Sequence, residues 1–148
     1  MKNRKYNFGK CGIIKEDKII VCQEKKSKFI GENINKEKIL EVTLDGCLNI
    51  NGKICDFLLI NTNKNSAHFI ELKGQDIKHA VKQLENTIKI TENIKNNYIK
   101  TKFTEKKSYA VLTRCPIGSK DLNNLKRKFR KETKSVLIIK NKQINAKL

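Results

Sequence analysis

The stretch Ile54–Gly74, "ICDFLLINTNKNSAHFIELKG", decides how this 148-residue chain is read. Two apolar runs flank the polar turn "NTNKNS", which predicts strands over about 54–60 and 67–73 joined as an antiparallel hairpin. With the turn centred between Asn63 and Lys64, residues whose numbers sum to 127 stand opposite each other and share a face. Asp56 then faces Glu71. Lys73, two residues further on, emerges on the same side because strand side chains alternate.

Three ionisable groups thus converge where burial is strongest. Paired carboxylates at that distance repel unless a cation lies between them, and hard oxygen ligands suit Mg²⁺ or Mn²⁺. A purely structural salt bridge would need one acid and one base, and here a second carboxylate is left over. Glu-x-Lys also occurs at Glu16–Lys18, Glu24–Lys26, Glu105–Lys107 and Glu132–Lys134, all in polar surroundings. Only Glu71–Lys73 closes an apolar strand.

Downstream, "GQDIKHAVKQLENTIKITENIKNNY" predicts a long amphipathic helix with Asp76 as its N-cap and Ile77, Ala80, Val81, Leu84, Ile88 and Thr91 at helical spacing. "SYAVLTRCP" follows as a strand stopped by Pro116. "SKDLNNLKRKFRKE" reads as a basic helix with Leu122, Leu125 and Phe129 on one face, and "SVLIIK" as a last strand. Upstream, "ILEV" predicts a strand followed by turns at Asp45–Gly46 and Asn51–Gly52. The expected fold is a single α/β (α+β mixed) domain, with a central four- to five-stranded mixed sheet flanked by helices. Its core spans 41–139, between a basic region at 1–40 of undefined structure and a polar tail at 140–148.

These residues resemble the PD-(D/E)XK nuclease superfamily, the restriction-endonuclease-like fold. The likeness runs through Asp56, the turn, Glu71-Leu72-Lys73 and the helix carrying Gln83, with Cys55 where the family name has proline. It implies a Mg²⁺-dependent nuclease hydrolysing phosphodiester bonds, in DNA rather than RNA, for restriction, repair, junction resolution or defence. Asp56, Glu71 and the Leu72 carbonyl would bind the metal, and Lys73 would assist the attacking water. Gln83, with His79 one helical turn before it, would touch that water or the scissile phosphate. Glu32, Glu41 and Asp45 compete for the upstream acid that some members use. A homodimer would let one domain per strand cut a duplex. The other reading is a nucleic-acid-binding module that uses the same fold without cleavage.

Composition agrees with a polyanionic partner. The formal charge is +18 and the pI near 9.8, which favours nucleic acid first and an anionic membrane surface second. Lysine supplies nearly all of it, with only four arginines, a bias that AT-rich coding would also impose. Lys78, His79 and Lys82 on the first helix and Lys126, Arg127 and Arg130 on the second are the expected phosphate contacts. Tyr6, Phe8, Phe103 and Tyr109 read as packing residues before base-stacking ones. The five cysteines form no CxxC pair and read as reduced, small hydrophobes. With no secretory h-region and no apolar run long enough to span a bilayer, the expected location is the cytoplasm.

Overall fold

A computed structural model describes residues 5–48, 50, 52–73, 76–93, 98–114 and 118–148, apart from the Lys73 side chain. Among the described residues nine strands and two α-helices follow in order. The first four strands are β1 (Gly12–Lys15), β2 (Ile19–Glu24), β3 (Ser27–Glu32) and β4 (Ile39–Thr43). Then come β5 (Phe57–Asn61), β6 (Ser66–Lys73), α1 (Ile77–Glu92), β7 (Glu105–Leu112), α2 (Ser119–Thr133), β8 (Val136–Asn141) and β9 (Gln143–Lys147).

The main sheet is mixed and six-stranded, in the order β1-β4-β5-β6-β7-β8. Pairing is antiparallel from β1 to β6 and parallel from β6 to β8. The chain therefore advances twice in one direction through β6-α1-β7-α2-β8. Crossovers of one hand leave both helices on the same face. There Ile77, Ala80, Val81, Leu84 and Ile88 of α1 and Phe129 of α2 join Leu58, Ile60, Phe69, Ala110 and Leu112 in one core. Thr87 is also buried on α1, whereas Thr91 is half-exposed.

The opposite face needs its own cover, and a second sheet provides it. Strands β2-β3-β9 lay Ile20, Cys22, Phe29, Ile144 and Leu148 against Leu59, Ile70, Leu72, Tyr109 and Val111. Coverage on both faces explains why Leu58–Asn61 and Ala67–Leu72 are buried without interruption, where a half-exposed strand would alternate.

The α/β class with a mixed sheet and two helices holds, and several details differ from expectation. The main sheet has six strands rather than four or five, and helices cover only one of its faces. The region 1–40 supplies β1, β2, β3 and the start of β4. The polar tail holds the end of β8, then β9, which pairs parallel to β3, and Leu148 after it, with Ile144 and Leu148 buried. Asp45–Gly46 and Asn51–Gly52 both fall in the single connection between β4 and β5. Gly46 and Gly52 take positive φ values of 82° and 99°, and Asn51 lies outside the described residues.

The cysteines also depart from the reading of reduced thiols. Cys11 and Cys47 form a disulfide, while Cys22 and Cys55 are free and buried. Gly12 pairs with Val42, so Cys11 at the head of β1 lies beside the end of β4 and reaches the turn that holds Cys47. That neighbourhood depends on strand pairing and has no trace in a spacing of 36 residues. Cys115 lies outside the described residues. Among the described residues, no helix is long and apolar enough to cross a membrane.

Candidate functional site

The hairpin register is the one its turn predicts. Phe57 pairs with Ile70, and each further pair down to Asn61 with Ser66 keeps the same sum. At Asp56 the ladder ends. Its N–H donates to the Ile70 carbonyl at 3.1 Å, and its own carbonyl accepts from the Leu44 N–H at 2.9 Å. Its carboxylate Oδ2 accepts from the Leu72 N–H at 2.8 Å, so the acid is tied to the strand that carries Glu71.

The residues before Asp56 are held by side chains of α1 rather than by a strand ladder. Gln83 Nε2 donates to the Ile54 carbonyl at 3.1 Å, and Asn86 Nδ2 to the Lys53 carbonyl at 3.2 Å. The Cys55 N–H donates to Thr87 Oγ1 at 2.8 Å, and that hydroxyl donates in turn to the Gln83 carbonyl at 2.7 Å. Three side chains on one flank of a helix thus grip three consecutive backbone units and fix where Asp56 begins. This is why the strand expected from 54 starts at 57.

Asp56, Glu71, Leu72 and Gln83 line one cavity of about 310 Å³. It opens beyond the C-terminal ends of β6 and β7, with Thr113 on its wall, at the end of a parallel sheet where α/β folds place ligands. Glu71 is only 2% exposed. Gln83 Oε1 is buried there and, among the described residues, has no hydrogen-bond partner. A buried carbonyl-type oxygen without a donor costs about 1–3 kcal/mol, which a ligand entering the cavity would recover.

Two carboxylates and this amide oxygen make an all-oxygen donor set. Mg²⁺ takes one or two carboxylates and keeps several waters, so the set fits it. Among the described residues no three His, Cys, Asp or Glu side chains are grouped to hold a metal by themselves. Lys73 is the last residue of β6, two beyond Glu71, and its side chain lies outside the described residues.

Of the three upstream acids, Asp45 reaches the cavity. The Leu44–Asp56 hydrogen bond draws it there. Glu41 points to the other side of the sheet, where Lys15 pairs with it at 2.9 Å, and Glu32 lies at a separate pocket beside Lys147 and Leu148. Sequence reading missed Glu24, Lys25 and Ser27, which enter from the β2–β3 hairpin. Nothing local to that polar turn marked it, because its place depends on how the second sheet packs.

The expected phosphate contacts divide. Lys78 and Lys82 line a groove of about 560 Å³ between α1 and α2, together with Lys89 and Lys128. Glu85 partly neutralises it, lying 3.5 Å from Lys82 and 3.0 Å from Lys89. Burial pushes the Glu85 carboxyl up, but the hydrogen bond and field of Lys89 and the charge of Lys82 outweigh it and leave the group below its ordinary value. His79 faces Asp76, 3.2 Å away, and Lys53, and it does not line the cavity beside Gln83. Arg127 and Arg130 are exposed and Lys126 half-buried on α2, outside the groove.

The aromatic residues pack. Tyr109 is fully buried, Phe8 stacks on Tyr98, Phe103 meets Phe69 edge-on, and Tyr6 bonds Asn65. Compared with family models, curated proteins and solved structures, the chain matches none of them.

Proposed function

We propose that this chain is a Mg²⁺-dependent nuclease with a restriction-endonuclease-like core, hydrolysing phosphodiester bonds in nucleic acid, DNA in preference to RNA. One observation carries the reading: Asp56, Glu71 and Gln83, from a hairpin, its second strand and the next helix, meet in one cavity. Asp56, Glu71 and the Leu72 carbonyl would hold the dication, which when bound offsets charge on the phosphate and makes water more acidic.

The chain's own residues do the rest. The Leu72 N–H orients the Asp56 carboxylate. Thr87 and the Gln83 amide nitrogen fix the backbone leading to it. The buried Gln83 Oε1 accepts a hydrogen bond from the attacking water. Lys73 takes the water-orienting role by its place two residues after Glu71. Water oxygen bonds to phosphorus, the bond to the leaving oxygen breaks, and a proton from that water ends on the leaving group. The basic α1–α2 groove gives affinity without sequence choice.

The test is incubation of plasmid and single-stranded DNA and RNA with Mg²⁺, Mn²⁺ or EDTA. Metal-dependent cutting is expected, lost in Lys73→Ala and Glu71→Gln. Tight binding with no cutting of any polymer under any of these conditions overturns the enzyme reading and leaves a non-cleaving binding module.

A further inference from the structure

The candidate cavity carries an electrostatic problem that its acids alone cannot solve. Glu24, Asp45, Asp56 and Glu71 line it, and among the described lining residues Lys25 is the only cation. A dication held among these four carboxylates would leave a formal sum of −2, which repels a phosphodiester from the opening. Lys25 brings that sum to −1, and it sits at the tip of the β2–β3 hairpin. Glu24 pairs with Ser27, so Lys25 and Lys26 are the whole turn, and both are exposed.

We infer that Lys25 is a substrate-binding residue: its ammonium group clamps a backbone phosphate at the mouth of the cavity. This rests on the nuclease reading for its catalytic consequence, while the phosphate contact itself stands apart from cleavage. The second sheet, which otherwise only covers the apolar underside of the first, thereby gains a part in substrate binding. Lys26 occupies the same turn with the same charge but does not line the cavity, so it separates a clamp from bulk positive charge.

The backbone makes a clean test available. Lys25 has φ of 53°, a left-handed conformation that glycine adopts freely, so Lys25→Gly removes the cation without straining the turn. Binding of a fluorescein-labelled DNA duplex is measured by anisotropy with Ca²⁺ in place of Mg²⁺, between about 50 and 200 mM NaCl, for wild type, Lys25→Gly, Lys25→Arg and Lys26→Gly. Loss of one phosphate contact lowers the slope of log K against log salt by about 0.9 and weakens binding about tenfold at the low-salt end. Lys25→Arg is expected to keep the wild-type slope, and Lys26→Gly to change it far less.

In cleavage assays the loss in Lys25→Gly is expected in KM and not in kcat. Equal slopes in wild type and Lys25→Gly, or equal losses in Lys25→Gly and Lys26→Gly, overturn the clamp. Should the wild type cut nothing with Mg²⁺ or Mn²⁺, the nuclease reading fails, and the binding slopes still decide the clamp on their own.

Discussion

Replacing His68 by glutamine should abolish most of the loss of stability that the protein undergoes between pH 7 and pH 5. His68 is 2% exposed on β6, its Nδ1 lies 2.9 Å from the Tyr109 hydroxyl, and its ring stacks on the tyrosine at 5.8 Å. Burial first, then the charges of Lys107 and Lys64, push its pKa from 6.5 down to about 3. The folded protein therefore binds fewer protons at this residue than the unfolded chain does. Stability must fall as pH drops below the unfolded value of 6.5, and it goes on falling until the folded value near 3 is reached.

At pH 5 an unfolded histidine is almost fully protonated. The resulting loss from pH 7 to pH 5 is about 2 kcal/mol, since each pKa unit corresponds to about 1.4 kcal/mol. Stopping at pH 5 keeps most ordinary carboxylates ionised. Urea unfolding followed by circular dichroism at both pH values would show a midpoint shift of roughly 1 M for wild type, for a slope near 2 kcal/mol/M. His68→Gln should shift much less. A variant whose two midpoints differ as much as the wild type's refutes the assignment of this acid sensitivity to His68.

Thr87→Val keeps the shape of a buried side chain but leaves the Cys55 N–H without its acceptor, so urea unfolding should report a loss of about 1–3 kcal/mol. Cleavage should fall with it, because the backbone leading to Asp56 loses an anchor. Glu85→Gln releases Lys82 and Lys89 into the α1–α2 groove, and anisotropy should show tighter binding to duplex DNA by roughly two- to fivefold, the scale of a surface ion pair. The Cys11→Ser/Cys47→Ser double variant opens a loop of 36 residues. Loop-closure entropy sets the expected loss at about 3–4 kcal/mol, read by urea unfolding beside oxidised wild type, and an unchanged midpoint would count against the bridge.

What the sequence determined by itself was whatever depends on near neighbours. The six-residue turn set the register of β5 against β6, so the pairing of Phe57 with Ile70 followed from symmetry about the turn. Helical spacing picked out the buried face of α1, and Asp76 was legible as its cap because the side chain needs only the N–H of His79, three residues on. Alternation brought Asp56 and Glu71 to one site. The tertiary structure decided everything that joins distant segments. β9 looked like a tail because Ile144 and Leu148 are too few to mark a strand until β3 lies beside them. Cys11 meets Cys47 only through the pairing of β1 with β4. Glu24 and Lys25 reach the cavity because the main sheet, with both helices on one side, exposed an apolar face that a second sheet had to cover. Local patterns fix how a strand or helix forms, but burial of the remaining apolar surface chooses which segments meet, and that choice is made by the whole chain at once.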